Sequence, residues 1–145
     1  MGIHAIAKRA REMNVDLLVA EAIDNKETDL VKLNQKQMLA HKLSNDKDFV
    51  NSKTGKKKLS LAYAKRTHKT YPNLYVDGTF QSDMFLEVNE NDKTFFLGSF
   101  WNKTKYLTGQ YSEKIFGISP KNRPKAKRIS LKELSRIYYK RLLGA

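Results

Sequence analysis

Residues 79 to 101 constrain the fold more than any other part of this 145-residue chain. In TFQSDMFLEV (79 to 88), Phe80, Ser82, Met84, Leu86 and Val88 fall on one side of an extended backbone. Gln81, Asp83, Phe85 and Glu87 fall on the other. That alternation predicts a half-buried strand. NEND (89 to 92) is a turn cluster, and KTFFLGSFW (93 to 101) predicts a second strand with aromatics on both faces. Two strands and a tight turn make a β-hairpin, which is marginal alone and needs helices or further strands to cover it. Phe85 on the polar face, with Phe96 and Phe100, implies that this second face is partly covered as well.

The cover comes from helical stretches. Residues 5 to 24 predict one helix, because Ile6, Ala10, Met13, Leu17 and Ala20 recur at spacings of four and three. A second helix follows, with Thr28 as N-cap, Asp29 suiting the dipole of the first turn, and Leu30, Leu33 and Gln37 on one stripe. Residues 42 to 58 have no period and read as a long exposed polar loop. KTGKKK within it lacks the spaced first glycine, the Lys-Ser/Thr ending and the preceding strand of a phosphate loop. LSLAYAKRTHK predicts a short helix or turn before Pro72. The last helix carries a capping box, Ser130 with Glu133, and a staple between Ile129 and Leu134. Its predicted buried stripe is Leu131, Leu134, Tyr138 and Leu142. The fold class is therefore α+β: N-terminal helices, an antiparallel hairpin packed by helices, and a capped C-terminal helix, in a single domain over 1–145.

A chain of this length buries roughly 68–70% of its unfolded surface and needs no cross-links to hold a core. It has no cysteine, which excludes disulfides, thiolate metal sites and cysteine nucleophiles. No apolar run approaches the ~20 residues of a membrane span. MGIHAIAKRAREM has no uninterrupted apolar stretch after its basic residues, so no signal peptide is expected, and Ile6 stands where a myristoylation motif wants Ser or Thr. These features predict a soluble protein kept inside a cell, with no membrane partner.

Chemistry-bearing motifs are sparse. His4, His41 and His68 are scattered, with no metal-ligand spacing, and no nucleophile elbow or dinucleotide fingerprint occurs. The acids Asp77, Asp83, Glu87, Glu90 and Asp92, beside Lys93, could hold magnesium in a nuclease, but a solvated outer strand face explains them without any metal. No cofactor is called for.

The net charge of +13 is unevenly spread. Lys53, Lys56, Lys57, Lys58, Lys65, Arg66 and Lys69 form one block without acids. Lys121, Arg123, Lys125, Lys127, Arg128 and Lys132 form another. Residues 77 to 92 carry acids and no Lys or Arg, and 12 to 29 are acid-rich. Such blocks face phosphates, or they face the acids of a neighbouring copy in a head-to-tail contact that can close into a ring. Aromatics do not interleave with the basic blocks apart from Tyr63 and Tyr71, which gives little support to stacking on single-stranded bases.

The order of the pieces resembles a known group. Leu33, Asn34, Gln37 and Met38 fit an "LN-x-x-Q-(L/M)" helix, followed by Tyr63. Asp77, Gly78, Phe80, Gln81 and Ser82 fit a "(D/G)-(G/T)-x-F/L-x-x-S" lead into a strand pair, although Ser82 falls one position before the Ser of that pattern. Tyr111, Ile115, Phe116, Gly117, Ile118, Ser119 and Asn122 fit a "Y-x-x-x-IFG(L/I)S-x-x-N" turn before a closing helix. Over residues 23 to 142 the chain resembles the small neck proteins of tailed bacteriophages, of the tail-completion or virion-morphogenesis kind, as in phages of Bacteroidetes-like hosts. The helix over 1–22, the length of the 42–58 loop and the basic block at 121 to 128 depart from that pattern. The resemblance implies a non-enzymatic virion protein, present in host cytoplasm during assembly. It would form an oligomeric ring with portal or adjacent neck and tail proteins, around the channel through which DNA passes. Expected subunit-interface residues are Asp77, Asp83, Glu87, Tyr111 and Phe116. Expected contacts to DNA or an acidic partner are Lys53, Lys56, Lys57, Lys58, Lys65, Arg66, Lys69, Lys121, Arg123, Lys125, Lys127 and Arg128. Two other readings stay open: a non-specific nucleic-acid binder acting through its lysines, and the metal-dependent nuclease.

Overall fold

The structure is a computed structural model that describes residues 2–75 and 77–145. Its elements, in chain order, are α1 (Ile3–Glu12), α2 (Val15–Asp24), α3 (Glu27–Leu39), α4 (Leu61–Thr67), α5 (Thr79–Ser82), β1 (Met84–Asn89), β2 (Thr94–Ser99), α6 (Thr104–Tyr111) and α7 (Arg123–Leu143). A 3-10 turn over Glu113–Ile115 links α6 to the segment before α7. The class is α+β, with N-terminal helices, one two-stranded antiparallel sheet and a closing helix.

The hairpin follows the sequence pattern closely. Leu86 faces Leu97 and Val88 faces Phe95, while Phe85 faces Gly98 and Glu87 faces Phe96. The Met84–Leu86 side joins the main core with Leu30, Val31, Leu33 and Met38 of α3. The strand begins later than the alternation predicts. Gly78 turns in the left-handed region (φ +90°), and the Asp77 carboxylate accepts the Thr79 amide at 2.9 Å. One helical turn, α5, follows, so Phe80 stays buried while Ser82 is exposed. At the outer margin of β1, Glu27 Oε1 accepts the Leu86 amide at 3.0 Å.

Two helices depart from expectation. The predicted helix over 5 to 24 is broken at Asn14, whose Oδ1 accepts the Asp16 and Leu17 amides at 3.0 and 3.3 Å. An Asn in this role offers the backbone an alternative to continuing the preceding helix. The break changes the phase: α2 buries Leu18, Ala20, Ala22 and Ile23, Leu17 is exposed, and α1 buries nothing. The closing helix starts seven residues before the predicted capping box, because Pro124 occupies its first turn, where a missing N–H costs nothing. Ser130 and Glu133 therefore lie inside α7. Its buried positions are Ala126, Glu133 and Ile137, and Leu131 is exposed.

α2 and α7 run antiparallel, since Glu21 pairs with Arg141 while Asn25 donates to Glu133 at 3.1 Å. Leu18, Ala22 and Ile137 form a second core there, with Met13, Leu134 and Tyr138 packed around it. In α3 the predicted stripe of Leu30, Leu33 and Gln37 is buried, but the helix opens at Glu27, so Thr28 is not its cap. The 42–58 loop is exposed from Ser52 to Lys58, yet Leu43 and Phe49 enter the core and Lys42 bridges to Asp48.

Candidate functional site

The segment before α7 is built around two amides of α3. Asn34, fully buried, donates through Nδ2 to the carbonyls of Ile115 and Gly117, each at 3.1 Å. Gln37 Nε2 donates to the same Gly117 carbonyl at 3.1 Å, and its Oε1 accepts the Ser119 amide at 2.8 Å. Gly117 lies at φ +108°, and a Cβ there would come within 3.1 Å of Ser44, so the turn needs glycine. Gln35 Nε2 donates to the Gln81 carbonyl at 2.8 Å. The Phe116 ring lies 5.9 Å from Phe80. The three motifs that carry the resemblance thus meet in one joint.

Two of the expected interface residues also pack within the chain. Tyr111 is buried, its ring 5.7 Å from Phe49, and Phe116 is half-buried on the core. Both serve intramolecular packing. Asp77 holds the start of α5, and its carboxyl lies below the usual range because of the Thr79 amide. Glu87 is exposed on the outer strand face, and Asp83 is half-buried at the start of β1, where its carbonyl accepts the Phe100 amide at 3.0 Å.

That outer face is bare. Phe85 stacks on Phe100 with ring centroids 4.2 Å apart and leans on Phe96 at 6.1 Å. Phe96 is 59% exposed and Phe100 76% exposed. Among the described residues, the expected partial covering reaches Phe85, which is half-buried, and leaves Phe96 and Phe100 exposed. Gly98 forms its floor: a Cβ there would meet the Phe85 ring at 2.7 Å.

Both basic blocks reach the 42–58 loop, the first through Lys57 within it and the second through the Lys121 main chain. Asp46 accepts the Lys121 amide at 3.1 Å, and two residues on, Asp48 pairs with Lys42 at 2.5 Å and Lys57 at 3.1 Å. Lys93, at the hairpin turn, bonds Asp16 of α2 at 2.9 Å. Lys53 lies on the exposed loop, and Lys65 and Arg66 lie in the last turn of α4. Arg123, Lys125, Lys127 and Arg128 are exposed in the first two turns of α7, with no acid in the first turn.

A cleft of about 660 Å³ opens between the loop, α4 and α6. Lys56, Lys57, Lys58, Lys69 and Lys103 line it, and no acid does. Its walls also carry aromatics that the sequence reading kept apart from the lysines. Lys69 Nζ lies 5.4 Å from the centre of the Tyr75 ring, and Lys103 Nζ lies 5.8 Å from that of Trp101. Tyr106 is 65% exposed on the α6 wall. WNKTKY, residues 101 to 106, does interleave aromatics and lysines, and was the signal available in the sequence.

Among the described residues, no group of three or more His, Asp or Glu side chains is placed to hold a metal ion. No helix among them is long and apolar enough to cross a membrane. The chain matches no protein-family model, no curated protein and no solved structure.

Proposed function

We propose that this chain is a structural subunit of a tailed-phage neck, assembling with copies of itself into a ring between head and tail around the DNA channel. The observation that supports this most is the bare Phe85–Phe96–Phe100 face. Isolated exposed apolar residues are ordinary, but a contiguous cluster at a polar rim is the mark of a contact surface. Glu87 stands opposite Phe96 in the hairpin, giving that face an acidic border. One basic block runs through a different part of the chain, the 42–58 loop, and the other begins beside it at Lys121. A surface that is apolar with an acidic border and a second that is basic suit a head-to-tail contact, which closes into a ring when the rotation fits. The joint between Asn34, Gln37 and the 115–119 turn adds support, since the motifs of the resemblance form one structural unit.

The reading is tested by light scattering and negative-stain microscopy of the purified chain, alone and with portal protein. A Phe96→Ser/Phe100→Ser double variant should keep its urea midpoint and lose assembly. A wild type that remains monomeric in both settings, indistinguishable from the variant, overturns the proposal.

A further inference from the structure

We infer that the cleft between α4 and α6 binds single-stranded nucleic acid, with its aromatic rings on the bases and its lysines on the phosphates. This rests on the cleft alone and holds whether or not the chain forms a ring. The volume lies within the roughly 300–1,000 Å³ of sites that take organic ligands, so the cleft can receive flat groups rather than merely attract counterions.

The wall chemistry selects among polyanions. Trp101 and Tyr75 each have an ammonium group within 6 Å of the ring centre. Each ammonium lies over its ring, and Lys69 also donates to the Tyr75 carbonyl; a base stacking on that face takes the lysine's place and leaves the ammonium free to meet the phosphate. Tyr106 projects a further ring that makes no ring–ring or cation contact among the described residues and is mostly in water. Lys56 and Lys58 extend the positive surface along the loop side. Stacking on aromatic side chains beside a basic track is how single strands are held without sequence preference. A duplex keeps its bases inside and would use the lysines alone. An acidic peptide would likewise pair with the lysines and leave the rings uncovered.

The chain contains one tryptophan, Trp101, so its fluorescence reports directly on the cleft. The experiment titrates the full chain with labelled oligothymidylate of about 12 nucleotides, within the span of known single-strand sites. Anisotropy and Trp101 emission are read together. Saturable binding with quenching is expected. Tyr106→Ala should weaken binding by about 5- to 150-fold, the usual loss for one stacked base. Tyr139→Ala, which removes an equally exposed ring from α7, should leave it unchanged. Circular dichroism checks that both variants are folded. Oligouridylate binding with the same quenching also supports the site and shows that RNA can fill it. The inference is overturned if Trp101 is not quenched, if Tyr106→Ala binds as well as wild type, or if duplex DNA or polyglutamate competes as effectively as the single strand.

Discussion

Gln37 holds Ser119 by its main chain, the Oε1 accepting the Ser119 amide at 2.8 Å across 82 residues of sequence. Its Nε2 meanwhile serves the Gly117 carbonyl, and Asn122 Nδ2 reaches the same Oε1 at 3.3 Å. One buried side chain thereby fixes the turn that aims α7.

Gln37→Met keeps the volume and removes every one of those bonds. The Ser119 amide is then left buried without its partner, at a cost of about 1–3 kcal/mol for such a group. A urea titration should show a lower midpoint with unchanged helical content. An unaltered midpoint would mean that the turn finds other partners.

Acid should loosen the α2–α7 pair through Glu133. Arg136 donates to it at 2.6 and 3.0 Å and Asn25 at 3.1 Å, and the Arg136 bond above all pulls its pKa from 4.5 down to about 2. A carboxylate held low in the folded state contributes its full share of stability above pH 4.5 and loses it as the pH falls toward 2. Thermal unfolding followed across that window should show the decline. Glu133→Gln should be less stable at neutral pH and show a shallower slope.

The first turn of α7 works against its own dipole. Arg123 and Lys125 stand where a helix favours negative charge, and the first turn itself holds no acid, the nearby carboxylate being Asp46 on the Lys121 amide. Lys125→Glu should therefore raise stability by about 0.3–1 kcal/mol at low salt, with the gain shrinking as salt is added. Denaturation at two ionic strengths measures both effects.

What could be read from the sequence followed from local pattern. The period of two placed the hairpin and its inner face, and the 3.6 period of α3 placed Leu30, Leu33 and Gln37. The phases of α2 and α7 were misread because single residues reset them. Asn14 stops one helix and caps the next, and Pro124 opens α7 upstream of a plausible but unused box at Ser130. The sequence leaves Tyr111 and Phe116 between core packing and subunit contact, because it does not show Phe49 and Phe80 arriving against them. The cleft was missed for the same reason: Lys56–Lys58 and Tyr75 come from one part of the chain, Trp101 and Tyr106 from another, and only tertiary packing joins them.

The bond from Glu27 to the Leu86 amide bears on how this hairpin can meet other chains. A foreign strand arriving along β1 would have to evict a carboxylate and then lie beside its charge, so backbone pairing is open only along β2. Two copies that pair β2 against β2 leave only their guarded β1 margins outermost, so that ladder ends at two chains. Copies can thus crowd together at high local concentration without zipping into the endless ladders of amyloid.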